Sequence, residues 1–222
     1  MFQNVCVSMI AKNEEGAVAE VINSIKNYLP GAEILIVDSS EDRTAEIAEE
    51  HGAKVIKQYP PKGYGPAMGE ALLSPRKDIV ITMDCDNTYP AEDLPKLVEL
   101  INDGYDLVGT SRISTGKPVH MPLPNYFANK LFNIFASIVF FRRIKDVHTG
   151  MRAYRREMLH SIDWNLDASA LPVELILRPI RKKYKVKEIP IDYRPRVGET
   201  TLDRWNSMVW TFKRIIQSRF YT

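Results

Sequence analysis

Short apolar runs alternate with amphipathic stretches along the first half of the chain. The runs are rich in β-branched residues, which is typical of buried strands. They are NVCVSMI (4–10), EILIV (33–37), AKVIKQY (53–59), DIVITMD (78–84) and DLVGTSR (106–112). The stretches between them place apolar residues at helical spacing, over 16–29, 42–52, 65–73 and 90–104. This alternation predicts an α/β fold with a doubly wound, mostly parallel sheet flanked by helices.

The second half departs from this alternation. Its predicted elements are a proline-rich loop (117–125), an apolar helix (about 125–141), a further helix (around 171–183), a strand within 184–196 and an amphipathic tail from Arg204. No internal repeat or low-complexity linker separates these elements. We therefore predict one domain over 1–222, divided into 1–115, 116–203 and a tail at 204–222.

Composition and charge narrow the class of protein. Hydrophobic residues make up 45% of the 222 residues and charged residues 26%, which excludes fibrous and disordered classes. Cys6 falls inside a predicted strand and Cys85 directly follows one, which favours buried thiols and a cytoplasmic protein. Residues 178–222 hold 12 Lys and Arg against 4 Asp and Glu, a net charge of +8. This basic end indicates an anionic partner or a solvated helix face, and no nucleic-acid motif accompanies it.

Polar residues follow several predicted strands, at the point where each strand ends. Asp84 and Asp86 come directly after one apolar run, while Asp38 and Arg112 end two others. Ligands of open α/β sheets bind outside the carboxyl ends of the strands, so these side chains form a candidate pocket. The alternative is an acidic turn that leads into the next helix.

The Asp84-Cys85-Asp86 spacing suits a hard divalent cation that itself binds a diphosphate, because two carboxylates leave coordination positions for phosphate oxygens. Asp38 can accept hydrogen bonds from a nucleobase or ribose, as can Asn13 or Glu14. Lys62, in the glycine-containing loop PPKGYGPA, can meet phosphate or can be a solvated turn residue. The sequence contains neither a P-loop nor a dinucleotide fingerprint.

Seven segments together resemble a known family. They are AKNEE, VDSSEDRT, KGYGPA, MDCDNTYPAEDLPKL, VGTSR, DVHTGMRAYRREML and EIPIDYRPRVGETTL, in this order over about residues 4–215. The order is similar to that of family 2 glycosyltransferases with the GT-A fold, and more narrowly to polyprenyl-phosphate sugar synthases related to dolichol-phosphate mannose synthase. The resemblance implies inverting transfer of one sugar from a nucleotide diphosphate sugar, such as GDP-mannose or a UDP-hexose, to a polyprenyl or dolichyl phosphate.

The resemblance also implies roles for particular residues. Residues 1–115 would bind the nucleotide sugar and 116–203 the acceptor, with Asp84 and Asp86 as ligands of Mg²⁺ or Mn²⁺. The nucleotide-sugar pocket would be lined by Ala11, Asn13, Glu14, Asp38, Lys62, Asp84, Cys85 and Asp86.

Cations are expected to hold the acceptor phosphate, since arginine binds phosphate oxygens in bidentate fashion. The candidates are Arg112, Lys130, Arg152 and Arg196, with Arg155 and Arg194 ranked behind them. Asp146 matches a family acid that serves as a base for a hydroxyl acceptor. With a phosphate acceptor, which is already anionic, we expect it to organise the site. His148 is interpreted as a loop residue, and Glu174 as a helix-start carboxylate that could serve the site.

Membrane contact is the remaining expectation. The longest apolar stretch, 131–141, is too short to span a bilayer, which needs about 20 residues. This helix and the tail could instead lie on the cytoplasmic face of a membrane, or pack on the core, a second copy or a membrane subunit. Two alternatives for function stay open: a soluble glycosyltransferase acting on a small hydroxylated or phosphorylated acceptor, and a non-catalytic nucleotide-sugar-binding scaffold. Nucleotidyl transfer is a third, which GMRAYRREML and RVGETTL fit poorly.

Overall fold

A seven-stranded sheet forms the centre of the protein. The computed structural model describes residues 2–166, 170–195 and 204–220, with side chains from 208 onward in the last range. The strands are β1 (Val5–Ala11), β2 (Glu33–Asp38), β3 (Lys54–Lys57), β4 (Ile79–Thr82), β5 (Leu107–Ser111), β6 (Arg152–Arg155) and β7 (Val186–Pro190). Their order across the sheet is β3-β2-β1-β4-β6-β5-β7. All neighbouring pairs are parallel except those of β6, which confirms the predicted mostly parallel sheet.

Helices cover both faces of the sheet. They are α1 (Val18–Tyr28), α2 (Thr44–Glu50), α3 (Tyr64–Leu73), α4 (Leu94–Asn102), α5 (Leu123–Phe140), α6 (Arg156–His160), α7 (Leu171–Arg181) and α8 (Arg204–Phe220). Proline in the first turn of α4, α5 and α7 suits a helix start, where its missing N–H has no intrahelical partner to lose. The α5 helix ends where Phe141 takes a left-handed conformation.

The period-two alternation of the strands divides the core between these faces. On β4, Ile79 and Ile81 join the cluster under α1 and α4, whereas Val80 joins the cluster under α3 and α7. The central strands are therefore buried on both sides, as their continuous apolar runs predict, whereas the edge strand β3 is only partly buried. Their carboxyl ends remain open, and the candidate residues follow at that edge.

The sequence did not predict the strand β6. It pairs antiparallel with both β4 and β5, and Ala153 lies opposite Ile81 and Val108. Its sequence, RAYR, gives little strand signal because Arg152 and Arg155 flank only two residues of other types. Tertiary pairing between two buried strands overrides that local composition.

The α5 helix presents an exposed apolar stripe. Successive members are three or four residues apart, and their exposed fractions lie between 49% and 65%: Leu123, Phe127, Leu131, Ile134 and Ile138. Phe141, just beyond the helix, is 89% exposed. We call these six residues the α5 stripe. No helix of the described part of the chain is long and apolar enough to cross a membrane.

The tail helix α8 has two apolar faces. Phe212 packs edge-on against Phe132 and Phe135 of α5, and Ile215 is fully buried. On the opposite face, Val209 and Phe220 are about 70% and 67% exposed. The helix therefore packs on the core and also exposes apolar surface. Packing on the core and contact with a membrane, the alternatives considered for the tail, are thus compatible with each other.

Candidate active site

The carboxyl edge of the sheet brings together the residues that follow β1, β2, β4 and β5. Asp38 is the last residue of β2, while Asp84 and Asp86 follow β4 and Arg112 follows β5. Because these four strands run in the same direction, their ends meet at one edge. The predicted juxtaposition of the strand ends is therefore present in the fold.

The loops after β1 and β2 interlock at one end of this edge. Asp38 is 4% exposed, and its carboxylate accepts the Ser40 hydroxyl at 2.6 Å. The Ser40 oxygen in turn accepts the Asn13 N–H at 2.8 Å, and the Glu14 N–H donates to the Thr44 hydroxyl at 2.9 Å. The structure thus brings Asn13, Glu14 and Asp38 together, and Asn13 has a left-handed backbone at φ 59°.

The acid pair follows directly, with its two side chains in different environments. Asp86 is 3% exposed, and its Oδ1 accepts both the backbone N–H and the hydroxyl of Thr88, at 3.1 and 2.6 Å. Asp84 is half-buried. Between them, the Cys85 thiol packs into the core with its Sγ 3.7 Å from Met9 Sδ. Any contact of Cys85 with a ligand at this edge is therefore left to its backbone.

The charge at this edge favours a cation. Burial raises the pKa of the Cys85 thiol well above its usual value, and the carboxylates of Asp84, Glu14, Asp86 and Asp38 raise it further. The negative potential of four carboxylates is thus concentrated around Cys85. The described residues contain no cluster of three or more side chains that could hold a metal ion. The carboxylate oxygens of these acidic residues suit a hard cation that takes its remaining ligands from diphosphate oxygens and water.

A loop at Thr149–Gly150 packs against Asp84. The Gly150 N–H donates to the Tyr89 hydroxyl at 2.6 Å, and its carbonyl accepts the Thr82 hydroxyl at 2.8 Å. A methyl group on Gly150 would lie 2.9 and 3.1 Å from the two carboxylate oxygens of Asp84. Glycine therefore allows the backbone to approach the Asp84 carboxylate, which a larger residue here would displace.

Arg112 and Asp146 form a buried ion pair beside that loop. Nε and Nη2 of Arg112 donate to the Asp146 carboxylate at 2.8 and 3.0 Å, and the Arg112 backbone N–H donates to it at 3.1 Å. Burial alone would raise the pKa of Asp146, but the Arg112 charge and these hydrogen bonds lower it below its usual value. Glu188 fixes the peptide that carries Asp146 by accepting its backbone N–H at 3.0 Å.

The other arginines predicted to bind the acceptor phosphate lie in different parts of the fold. Arg152 is 1% exposed and donates to the carbonyls of Pro172 and Val147 at 2.7 and 2.9 Å, so it joins two segments in the interior. Arg155 donates to the Ile101 carbonyl at 2.7 Å, behind α4. Arg194 pairs with Glu92. Arg196 lies outside the described residues.

Lys130 lines an open cavity of about 500 Å³ beside the α5 stripe, and three residues of the stripe also line it. Arg142, Arg143 and Lys145 also line it, and Lys145 immediately precedes Asp146. The Lys130 ammonium lies 5.5 Å from the Tyr126 ring centre. Lys62, by contrast, is exposed in the loop before α3.

His148 and Glu174 both contact the tail helix. The His148 Nε2 lies 3.1 Å from the Thr211 hydroxyl, and burial lowers the pKa of His148 to about 4. Glu174 is 1% exposed and forms ion pairs with Arg178 at 2.9 Å and with Arg214 at 2.5 Å. Both residues thus contribute to packing of α7 and α8.

Sequence reasoning missed the aromatic residues of the site. The rings of Tyr89 and Tyr193 meet edge to face, with centres 5.7 Å apart. Tyr193 also lies under Arg112, whose Cζ is 5.4 Å from the ring centre. The only available signal was the position of Tyr89 three residues after Asp86, and nothing in the sequence links Tyr193 to it.

An open, mostly parallel sheet with acids and a paired arginine at its carboxyl edge is typical of α/β proteins that bind a ligand at that edge. The chain belongs to glycosyl transferase family 2, whose family model matches residues 6–163. It is 47% identical over 203 residues to a dolichyl-phosphate hexose transferase of Haloferax volcanii, covering 91% of this chain and 88% of that protein. This membership confirms the family resemblance and supports a hexosyltransferase.

Two further comparisons extend the likeness. A dolichol-phosphate mannosyltransferase of Pyrococcus furiosus is 32% identical over 202 residues, covering 86% of this chain and 56% of that protein. The structure of glucosyl-3-phosphoglycerate synthase from Mycobacterium tuberculosis, in complex with Mn²⁺, UDP and glucosyl-3-phosphoglycerate, aligns with a TM-score of 0.72. That alignment covers 96% of this chain and 77% of that one at 19% identity, and it confirms the GT-A fold.

Proposed function

We propose that the protein transfers one hexose from a nucleotide diphosphate sugar to a polyprenyl phosphate, with inversion at the anomeric carbon. The observation that carries this proposal is the meeting of two charged groups at one sheet edge. The Gly150 backbone approaches the Asp84 carboxylate and donates to Tyr89, whose ring meets the Tyr193 ring beneath Arg112. The acid pair suits a donor diphosphate with its cation, and the Arg112–Asp146 pair suits an acceptor phosphate. The matched relatives include a dolichyl-phosphate hexose transferase and a dolichol-phosphate mannosyltransferase, which supports a lipid phosphate as the acceptor.

On the donor side, Ala11, Asn13, Glu14 and Asp38 line the nucleotide pocket, and Lys62 reaches the phosphates from the loop before α3. Asp84 and Asp86 would hold Mg²⁺ or Mn²⁺. Such an ion would neutralise the charge that develops on the departing nucleoside diphosphate. Thr88 supports this role by holding Asp86 through two hydrogen bonds to the same carboxylate oxygen.

The transfer itself needs positioning more than proton removal. An oxygen of the acceptor phosphate attacks the anomeric carbon, and the bond from that carbon to the diphosphate oxygen breaks, so its electron pair leaves with the nucleoside diphosphate. The phosphate is already anionic near neutral pH, so no base is required. Asp146 matches this chemistry, because its lowered pKa makes it a poor base while its carboxylate fixes the Arg112 guanidinium.

On the acceptor side, the phosphate binds near Arg112, with Lys130 and the cavity cations Arg142, Arg143 and Lys145 adding positive potential. Arg196 is retained as a candidate from the sequence. Arg152 takes an indirect part, because its buried guanidinium holds the Val147 carbonyl next to Asp146.

The lipid tail of the acceptor requires contact with a membrane. The α5 stripe and the exposed face of α8 supply apolar surface, and the cavity cations lie beside part of the stripe. Apolar side chains beside Lys and Arg are typical of helices that lie in a membrane interface. We therefore propose that the protein is peripheral, with the α5 stripe against the lipid.

A panel of acceptors tests this proposal. Purified protein would receive a labelled nucleotide hexose with Mn²⁺ and one of three acceptors: polyprenyl phosphate, polyprenol or glycerol 3-phosphate. We expect label only with polyprenyl phosphate. Label with polyprenol would indicate a hydroxyl acceptor and return Asp146 to the role of base. Label with glycerol 3-phosphate alone would contradict the lipid acceptor and leave the donor site intact.

A further inference from the structure

The segment that carries Asp146 lies between α5 and β6 and belongs to no helix or strand. A buried backbone outside regular structure needs hydrogen-bond partners from elsewhere in the fold. Asp146 is fully buried, and its carboxylate faces the Arg112 guanidinium. The partners that hold this segment therefore decide where the carboxylate lies.

Glu188, in β7, holds the segment from one side. Its Oε1 accepts the backbone N–H groups of Lys145 and Asp146, each at 3.0 Å, and its Oε2 also accepts the Lys145 N–H at 3.0 Å. The Lys145 ammonium donates to the Glu188 carbonyl at 3.0 Å, and Nη2 of Arg142 donates to the Val186 carbonyl at 2.5 Å. The segment is thus fastened to β7, the last strand of the sheet, through both backbone and side chains.

Asn133, in α5, holds the same segment from the other side. It is 5% exposed. Its Nδ2 donates to the Lys145 carbonyl at 2.6 Å, and its Oδ1 accepts the Val147 N–H at 3.0 Å. An asparagine amide can donate and accept at once, so it matches the carbonyl before Asp146 and the N–H after it.

The Arg112–Asp146 pair depends on exact placement. Three Arg112 donors reach the Asp146 carboxylate: Nε at 2.8 Å, Nη2 at 3.0 Å and the backbone N–H at 3.1 Å. A buried ion pair repays the cost of leaving water only when its hydrogen bonds are well formed. A shift of the segment would lengthen several of these hydrogen bonds at once and leave the guanidinium free to turn.

We propose that Asn133 and Glu188 are positioning residues that clamp the backbone of residues 145–147 and so place the Asp146 carboxylate against Arg112. The inference rests on the proposed function, in which Arg112 binds the acceptor phosphate. Both residues act through the peptides on either side of Asp146. We therefore expect them to affect binding of the acceptor and not of the nucleotide.

Two variants of similar shape remove the clamp. Asn133→Leu and Glu188→Met keep the approximate size of each side chain and remove its hydrogen bonds, so we expect the KM for polyprenyl phosphate to rise about 5- to 30-fold. The dissociation constant for nucleoside diphosphate with Mn²⁺ should stay within about twofold of wild type. Glu188→Gln should recover most of the loss, because one amide oxygen can still accept both N–H groups.

Asp106 provides a control of the same chemistry. Its carboxylate accepts the backbone N–H of Lys185 at 2.8 Å, and it directly precedes β5, at the opposite end of that strand from Arg112. Asp106→Leu should lower stability in urea unfolding without separating the acceptor KM from the nucleotide dissociation constant. The clamp variants should separate these two constants.

The ionisation of Asp146 gives a second readout that does not depend on activity. The Arg112 charge and hydrogen bonds hold the pKa of Asp146 below its usual value, so loosening the clamp should raise this pKa. The pH dependence of the Asp146 carboxyl carbon resonance measures it, with the resonance assigned by comparison with Asp146→Asn. If an apolar variant does not fold, Asn133→Ser carries the same test, because its shorter side chain no longer reaches the two backbone groups.

The outcomes separate this proposal from the proposed function. The clamp is overturned if folded variants keep the wild-type acceptor KM or the wild-type Asp146 pKa, or if they raise the acceptor KM and the nucleotide dissociation constant equally. If wild type labels no polyprenyl phosphate, the proposed function is wrong, and the Asp146 pKa still shows whether Asn133 and Glu188 place its carboxylate.

Discussion

Replacing Gly150 by alanine tests the site most sharply, because the added methyl group meets a carboxylate proposed to bind the metal. It would lie 2.9 and 3.1 Å from the Asp84 oxygens, whereas ordinary contacts begin at 3.4 Å. Gly150 has little freedom to retreat, since both its N–H and its carbonyl are hydrogen-bonded, to Tyr89 and Thr82. Asp84 must therefore move by several tenths of an ångström.

The expected cost follows from that contact. Overpacking a well-packed site costs about 1–3 kcal/mol. If the displacement falls on the donor site, the affinity for nucleoside diphosphate with Mn²⁺ decreases about 5- to 150-fold. Isothermal titration calorimetry measures this affinity, and urea unfolding measures how much of the cost falls on stability instead.

Gly109→Ala is the control for this experiment. A methyl group there would lie 3.6 Å from both the Glu188 Cγ and the Ile176 Cδ1, which is an ordinary contact. Gly109→Ala changes the conformational entropy of the unfolded chain in the same way as Gly150→Ala does. We expect its nucleotide affinity to stay within about twofold of wild type, because its contacts carry no overpacking cost. Equal affinities for the two variants would refute the proposed role of the Asp84 position.

Three further predictions concern pH, stability and membrane binding. Because burial lowers the pKa of His148 from 6.5 to about 4, the unfolded chain binds more protons between those values, and stability falls by up to about 3 kcal/mol as the pH drops through them. His148→Gln should reduce this acid loss in urea unfolding, and an unchanged loss would contradict the assignment. Glu174→Ala should lower the free energy of unfolding by about 3–5 kcal/mol, because it leaves buried Arg214 without its ion-pair partner. Adding Arg214→Met should restore part of the lost stability. An equal or larger loss in the double variant would contradict the importance of this ion pair. The double variant Phe127→Ser, Ile138→Ser should weaken co-sedimentation with anionic vesicles about 10-fold or more, whereas the control Tyr28→Ser should not. Equal sedimentation of the double variant and the control would exclude the α5 stripe as the membrane contact.

Much of the fold follows from local patterns. The alternating strands and helices of the first half appear within a few residues of their predicted bounds, because the apolar runs of the central strands are buried on both faces of the sheet. The antiparallel strand β6 could not be predicted, since its pairing depends on partners about 45 and 70 residues away in sequence.

The candidate site was predictable only in part. Strand direction brings Asp38, Asp84 and Arg112 to one edge, and that follows from topology alone. The burial of Arg152 and the bidentate pairing of Arg112 with Asp146 depend on how distant segments pack. A list of cations in sequence cannot distinguish an arginine that faces the open edge from one that joins two interior carbonyls.

Transfer of labelled hexose to polyprenyl phosphate, with and without divalent cation, tests the central claim most directly. Wild type would be compared with Asp86→Asn, which keeps the size of the side chain and removes its charge, and with Asp103→Asn at an exposed position after α4. The account predicts Mn²⁺- or Mg²⁺-dependent label in the lipid phase for wild type and Asp103→Asn, with about a 100-fold or greater loss in Asp86→Asn. Undiminished transfer by Asp86→Asn, or transfer that persists in excess chelator, would contradict it.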